Sequence, residues 1–503
     1  MFFPLKYSSS RNSTLFPPQP CLNIEGRKVA PPKPKANPKT NWTTYTLLAL
    51  PLILTAFLWW LFPPIAQTLS TNIFQYEPTN QPANWLWITI VTFYYTWFTF
   101  LAVGVGGLLA VSAWLARRRT KGRTADFYPM VSFVVPAFNE EKQLPRCIES
   151  LFKCGANYPG PTEIIVIDDG SLDNSYEIAN ASIQLNMKKY APIRGKVTRH
   201  MANLGKIEAL RTGVNRALGQ LVAIVDADSW WQPPVLKGLV EYMHANGKAA
   251  ATGYVHPSNG ETEDNNPFVI LQQLEYSQGL GVFRCAQTLG NAVFVVPGAI
   301  GIFNADVLRD ILNNGSLKSV AEDSEITLEL QKRGHGVGYL SSARSGTLAP
   351  SNLTDLWHQR IRWFVGWLHN TLSIHRDILS KKSWLSLLLW YCLVAEYFGA
   401  FVEFSAILGF PFLFWFAPDR IMFLLNLFWF GFYALSVGIV FQAIALRFAY
   451  GQCNHKWLLG YTPFYSILWL VNLGARLFSV LGYALGSRGR WRSGKSGIAE
   501  RFT

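Results

Sequence analysis

The chain has 503 residues, half of them hydrophobic, with 19 Trp, 34 Phe and a mean hydropathy of +0.14. That is too apolar for an ordinary soluble protein and long enough for two or three domains. The formal charge of +14 sits almost wholly in residues 1–44, the run ARRRTKGR (116–123) and the tail 487–503. Positive charge gathered beside apolar segments is the pattern of cytoplasmic membrane flanks and argues against nucleic acid as a partner.

Residues 1–44 are polar, basic and Pro-rich, unlike a signal peptide, and read as a disordered cytoplasmic tail. Segments 45–66 and 85–115 carry no charged residue, and each is long enough to span a bilayer. The loop between them has one Glu and no Lys or Arg, which predicts a hairpin with both flanks in the cytoplasm. Residues 124–380 then form a cytoplasmic domain. Six cysteines without C-x-x-C or zinc spacing fit a reducing compartment.

In that domain the apolar runs MVSFVVPAF (130–138), EIIVIDDGS (163–171) and LVAIVDAD (221–228) alternate with amphipathic helical segments. Such alternation predicts an α/β domain with a doubly wound, mostly parallel sheet. Ligands bind at the carboxyl ends of such strands. Asp168 and Asp169 follow one strand, and Asp226 and Asp228 another. If the strand persisted through 228, the last two carboxylates would share a face and need a positive charge between them. Further on, 384–416, 421–449 and 461–485 are apolar. The first would be about 50 Å long as a helix, against a hydrocarbon core of about 30 Å, so part of it could lie along the interface. Asn472 and Arg476 interrupt the third, where polar groups are expensive and mark functional paths. Five spans are expected, which would leave the basic tail 486–503 outside, against the charge rule, so the last of them is read as complete, incomplete or re-entrant.

Four clusters remain: Asp168-Asp169-Gly170, Asp226-Ala227-Asp228, Glu322-Asp323 and Gln359-Arg360-Ile361-Arg362-Trp363. In this order, flanked by membrane segments, they resemble the D…DxD…(T)ED…QxxRW pattern of processive membrane glycosyltransferases of family 2. The resemblance covers roughly 85–500 and includes PAFNEE (136–141), NLGKIEAL (203–210) and EYSQGLGVFRCAQTLGNAVFVVPGAIGIF (275–303). It is nearest to bacterial poly-N-acetylglucosamine synthases, through the segment before PGAIGIF and the terminal SRGRWRSG, and more distant from hyaluronan and cellulose synthases. It implies a GT-A type nucleotide-sugar-binding fold. The implied activity is inverting and processive: a sugar moves from a UDP-sugar, taken as UDP-N-acetylglucosamine, onto a growing β-linked polysaccharide that the spans pass across the inner (plasma) membrane. The bilayer and a small membrane accessory subunit would be further partners. A non-processive glycolipid synthase remains the alternative.

The same resemblance distributes the roles. Pro136, Ala137, Asn139, Glu140, Asp168, Asp169, Lys206, Asp226 and Asp228 would line the nucleotide-sugar site. Asp169 would accept from the base, with Asp168 either beside it or structural, and Lys206 either a nucleotide contact or a solvated helix start. A diphosphate donor calls for Mg2+ (or Mn2+), with Asp228 as ligand and Asp226 on ribose or sharing the metal. Asp323 would be the general base, with Glu322 beside it. Arg362 would hold the leaving diphosphate, Trp363 would carry a sugar ring and Gln359 would bond its hydroxyls. Gly298 lies on the acceptor side. This chain departs from the family pattern at Ala321, usually Thr, and at Pro297, usually Ser. Leu353, Leu356, Trp357, Ile361, Phe364 and Trp367 fall near one face of a helix at 353–368, as for a helix lying on the membrane surface.

Overall fold

The computed structural model describes residues 105–119 and 128–486, apart from 261–264, 316, 418 and 452–455, together with positions 90, 93, 94, 97 and 98. The tail 1–44, the segment 45–66, about half of 85–115 and residues 487–503 lie outside the described residues.

After helix α1 (Gly106–Arg119), strands and helices alternate as β1 (Val131–Ala137), α2 (Leu144–Ala156), β2 (Thr162–Asp168), α3 (Ser175–Lys189), β3 (Arg194–Arg199), α4 (Lys206–Asn215) and β4 (Leu221–Ile224). These four strands are all parallel, in the order β3-β2-β1-β4. β1 and β2 are buried along their whole length, as expected of strands covered on both faces. Pro136 is tolerated in central β1 because Val134 is its last residue paired with β4, so the proline lies beyond that ladder.

The other half of the sheet is mixed. Short β5 (Ser229–Trp231) leads into α5 (Val235–Asn246) and β6 (Ala250–Ser258). Next come α6 (Pro267–Tyr276), which runs on into a π-helical segment Ser277–Arg284, then β7 (Gly301–Asn304), α7 (Ala305–Asn314), α8 (Glu322–Lys332) and β8 (Val337–Leu348). β7 runs antiparallel between β4 and β6, β6 pairs β8 in parallel, and β5 closes the edge antiparallel to β8. Four of the seven strand pairings are thus parallel, in a GT-A-like sheet.

Helix α9 (Leu353–His369) follows, and then three helices long and apolar enough to cross a membrane: α10 (Trp384–Trp415), α11 (Arg420–Tyr450) and a segment Lys456–Ala484 whose α-helical part is α12 (Tyr465–Ala484). They make the chain membrane-associated. α9 is not free on a surface: Trp357 packs edge-on to Phe478 of α12 at 5.5 Å and against Gly474, while Leu356 and Val365 are buried. Of the six apolar residues expected on one face, Leu353 is exposed. One apolar cluster joins the two parts of the molecule. It takes Tyr254, Leu274, Tyr339 and Leu356 from the α/β domain and α9, and Ala445, Ala449, Leu458 and Leu468 from the apolar helices.

Candidate active site

The loops after β1 and β2 are stitched together. Asn139, in a left-handed conformation (φ 57°), donates its N–H to Ser171 Oγ at 2.9 Å and accepts from Leu172 N through Oδ1 at 2.8 Å. Asn is among the few residues that adopt this conformation readily. Glu140 N donates to Ser175 Oγ at 2.8 Å, and the Glu140 carbonyl starts α2 by accepting from Leu144 N. Pro136 and Ala137 are buried in β1 below these loops. In their observed contacts Asn139 and Glu140 shape the loop.

The two acids after β2 divide differently from expectation. Asp169 accepts from Leu204 N (3.1 Å) and Gly205 N (2.8 Å), and His200 Nδ1 lies 2.6 Å from its Oδ1. It fixes the NLGK turn, so its acceptor capacity is largely used within the protein rather than kept for a base. Asp168 is 1% exposed, with Arg199 Nε 3.1 Å from Oδ2, yet neither carboxylate oxygen has a well-directed hydrogen bond. Burial pushes its carboxyl above the ordinary range.

Turning the NLGK loop this way delivers Lys206, at the start of α4, into the centre of the site. Its Nζ lies 2.8 Å from Asp226 Oδ1 and 2.7 Å from Glu322 Oε1. One ammonium therefore ties together the ends of α4, β4 and α8, which are far apart in sequence. Burial pulls the Lys206 pKa down, but Asp226 and Glu322 outweigh it and hold the ammonium well above its usual value. Asp323, next to Glu322, is half-buried and accepts from Ser324 N at 2.8 Å. Burial, and then the Glu322 charge, push it up to about 6.

The strand does not persist through Asp228. β4 stops at Ile224, Asp226 N donates to Gly298 O (2.9 Å), and Ser229 N returns to Asp226 O (2.9 Å), closing a tight turn. Asp228 Oδ1 then accepts from Ser229 Oγ (3.0 Å) and Thr347 Oγ1 (3.3 Å). Burial, followed by the Asp226 charge, raises Asp228 to about 6. Gly298 presses on the same pair, since a Cβ there would sit 2.5 and 2.6 Å from the Asp226 carboxylate oxygens.

A divalent cation here would have Asp226 and Asp228 as its protein ligands. Two carboxylates repel each other, and no group of three or more metal-ligating side chains exists among the described residues. Mg2+ binds in that manner when a diphosphate supplies further oxygens.

α9 brings the remaining residues to the same place. Gly366 lies against α8's entrance: a Cβ on it would meet Ala321 Cβ at 2.6 Å, and Asn370 Nδ2 donates to Ala321 O at 3.0 Å. That contact sets the helix bearing Gln359, Arg362 and Trp363 against the start of the helix bearing Glu322 and Asp323. Gln359 has a buried Oε1 without a partner, and Arg362 is half-buried and makes no ion pair among the described residues. Tyr276 stands beside the second of these groups. Its ring lies 6.4 Å from that of Trp363, and burial dominates the rise of its hydroxyl to about 12, with the Arg360 charge opposing it and Glu275 adding to it. Tyr276, Gly366 and Asn370 escaped sequence reading because their importance is a matter of packing between distant segments. Replacing Gly366 by Ala should cost transfer activity about a hundredfold, because a shift of about 1 Å between the two helices misplaces reacting groups. Initial rates on matched amounts of folded protein check this; a rate near wild type would show that the helix contact tolerates a methyl.

Residues 132–312 match the family model described as glycosyl transferase family 2. These residues carry a family 2 glycosyltransferase domain, and the chain is a glycosyltransferase. The glycosyltransferase is 24% identical over 390 residues to a poly-β-1,6-N-acetyl-D-glucosamine synthase of Staphylococcus epidermidis, covering 74% of this chain and 88% of the relative. An N-acetylglucosaminyltransferase of Neorhizobium galegae is 27% identical over 54% of this chain, and the match spans 62% of that relative's length. Among solved structures, a mannosyltransferase of Pyrobaculum calidifontis in complex with GDP-Man and Mn2+ is similar over 80% of this chain and 99% of its own, with 15% identity and a TM-score of 0.46. TarS of Staphylococcus aureus, residues 1–349, in complex with UDP, is similar over 71% of this chain and 92% of its own, with 18% identity and a TM-score of 0.35.

Proposed function

We propose that this glycosyltransferase inverts configuration and builds a β-linked polysaccharide processively from UDP-N-acetylglucosamine, passing the polymer through its apolar helices across the plasma membrane. The observation that carries the reading is the Lys206 bridge. It draws the Asp226–Asp228 pair and the Glu322–Asp323 pair into one half-buried site, beside a helix that rests on α12. The relatives named as N-acetylglucosamine polymer synthases and N-acetylglucosaminyltransferases support the sugar.

In this mechanism the nucleotide lies along the carboxyl ends of β1, β2 and β4. Asp226 and Asp228 would hold Mg2+ or Mn2+, which neutralises diphosphate charge when bound. Lys206 then has a diphosphate within its reach. The acceptor hydroxyl oxygen attacks the anomeric carbon and forms the new glycosidic bond. Its proton passes to Asp323, the bond from carbon to the diphosphate oxygen breaks, and the electron pair leaves with UDP. Arg362, with no carboxylate claiming it among the described residues, can meet the developing phosphate charge. Trp363 offers the acceptor sugar a plate, and Gln359 Oε1, buried and unpaired, offers an acceptor to a hydroxyl.

The test uses membranes containing the protein, Mg2+ and a panel of labelled UDP-sugars, with Asp228→Asn as control. Label from UDP-N-acetylglucosamine should enter a water-soluble product of high mass and be absent with the variant. Label that partitions into organic solvent instead would establish the glycolipid alternative and remove the translocation step.

A further inference from the structure

Glu275, next to last in α6, has its carboxylate gripped from two sides. Arg360 Nη2 of α9 lies 2.5 Å from Oε2, and Asn472 Nδ2 of α12 donates to Oε1 at 2.7 Å. Arg360 is 1% exposed, the most completely buried charge of the QRIRW motif. Its guanidinium lies over the Trp363 ring, 4.4 Å from the centroid, and Tyr276, the neighbour of Glu275, stands beside the same ring.

Two residues apart on a helix, Arg360 and Arg362 point in nearly opposite directions. They cannot share a task. Arg362 is left to the reaction centre, while Arg360 is committed to Glu275 and Trp363. A buried ion pair is poor evidence for stability, since an apolar pair of the same volume would usually pack as well. What the ion pair provides is direction: the planar guanidinium bonds along its edge and stacks on its face.

We propose that Asn472, Glu275 and Arg360 are positioning residues that set the pose of Trp363 toward the acceptor, so that the last apolar helix fixes the acceptor side of the active site while leaving the donor side alone. The inference rests on the reading of Trp363 as the acceptor's plate. Asn472, singled out in the sequence as an expensive polar residue, then has a partner and a purpose.

The experiment uses the full chain in membranes with UDP-N-acetylglucosamine and Mn2+, measuring both UDP released and sugar transferred. Arg360→Lys keeps a charge opposite Glu275 but loses the plane over Trp363, and Asn472→Leu loses only one grip on Glu275. For both, the ratio of sugar transferred to UDP released should fall at least about tenfold, as expected of a misplaced acceptor. The donor KM should stay within about twofold, because uniform donor binding is untouched. UDP release falling in step with transfer would mean a general structural role and would overturn the proposal, as would a wild-type ratio in Arg360→Lys. A wild-type product found in the organic phase would overturn the polymer reading alone, because the same ratio still reports the pose of Trp363 toward a lipid acceptor.

Discussion

Asp323→Asn should lower sugar transfer by ~10³-fold, within the range a positioned general base contributes, while UDP-sugar binding survives. The amide keeps the shape and the contact to Ser324 N but cannot take the acceptor's proton. The pH profile of the wild-type enzyme gives a second handle on the same residue. A base works only when ionised, and burial and Glu322 hold Asp323 at about 6. Transfer should therefore be flat above neutrality, half-maximal near pH 6, and fall about tenfold per unit below that. A variant that retains a tenth of wild-type transfer, or a profile unchanged down to pH 4.5, would remove Asp323 from the role (thresholds roughly two and one and a half log units from expectation).

Lys206→Met should disable the site differently. Asp226 and Glu322 would face each other across a mostly buried pocket, with Asp228 and Asp323 close by and no ammonium between them. Removing one partner of a buried ion pair costs about 3 kcal/mol. The solubilised variant should melt several degrees lower, with part of the loss restored by Mn2+ and UDP together, because the ion supplies positive charge where the lysine did. Its donor KM should rise in parallel. Melting unchanged from wild type, or no response to Mn2+ and UDP, would show that Lys206 is a spectator.

The parallel half of the sheet was legible because each of its strands is a short apolar run bounded by turn residues. The mixed half was hidden. β7 is four residues, Gly301–Asn304, and β8 runs through the polar stretch SSARSGT, where pairing to β6 overrides any periodicity. The acids after β4 were found, but the same-face argument failed for them because Gly298 O takes the Asp226 N–H and bends the chain. Lys206 was read with a nucleotide contact and a helix start as alternatives, and neither includes the double bridge it makes, since Glu322 is 116 positions further on. The same holds for Asn472 and Glu275, 197 residues apart. Local pattern reports which residues are unusual; only the fold reports which of them meet.

The apolar cluster shared by Tyr254, Leu274, Tyr339 and Leu356 with Ala445, Ala449, Leu458 and Leu468 has a practical corollary. The boundary at residue 380, so clear in composition, is not a line along which the molecule can be divided. Expressed alone, residues 124–380 would turn half of a hydrophobic core toward water, where each buried side chain of this size loses about 1.5–3 kcal/mol of transfer free energy on exposure. Such a fragment would aggregate or demand detergent despite its soluble composition. Catalysis and membrane embedding are inherited together here, so exchange of modules between relatives must carry the helices along with the sheet.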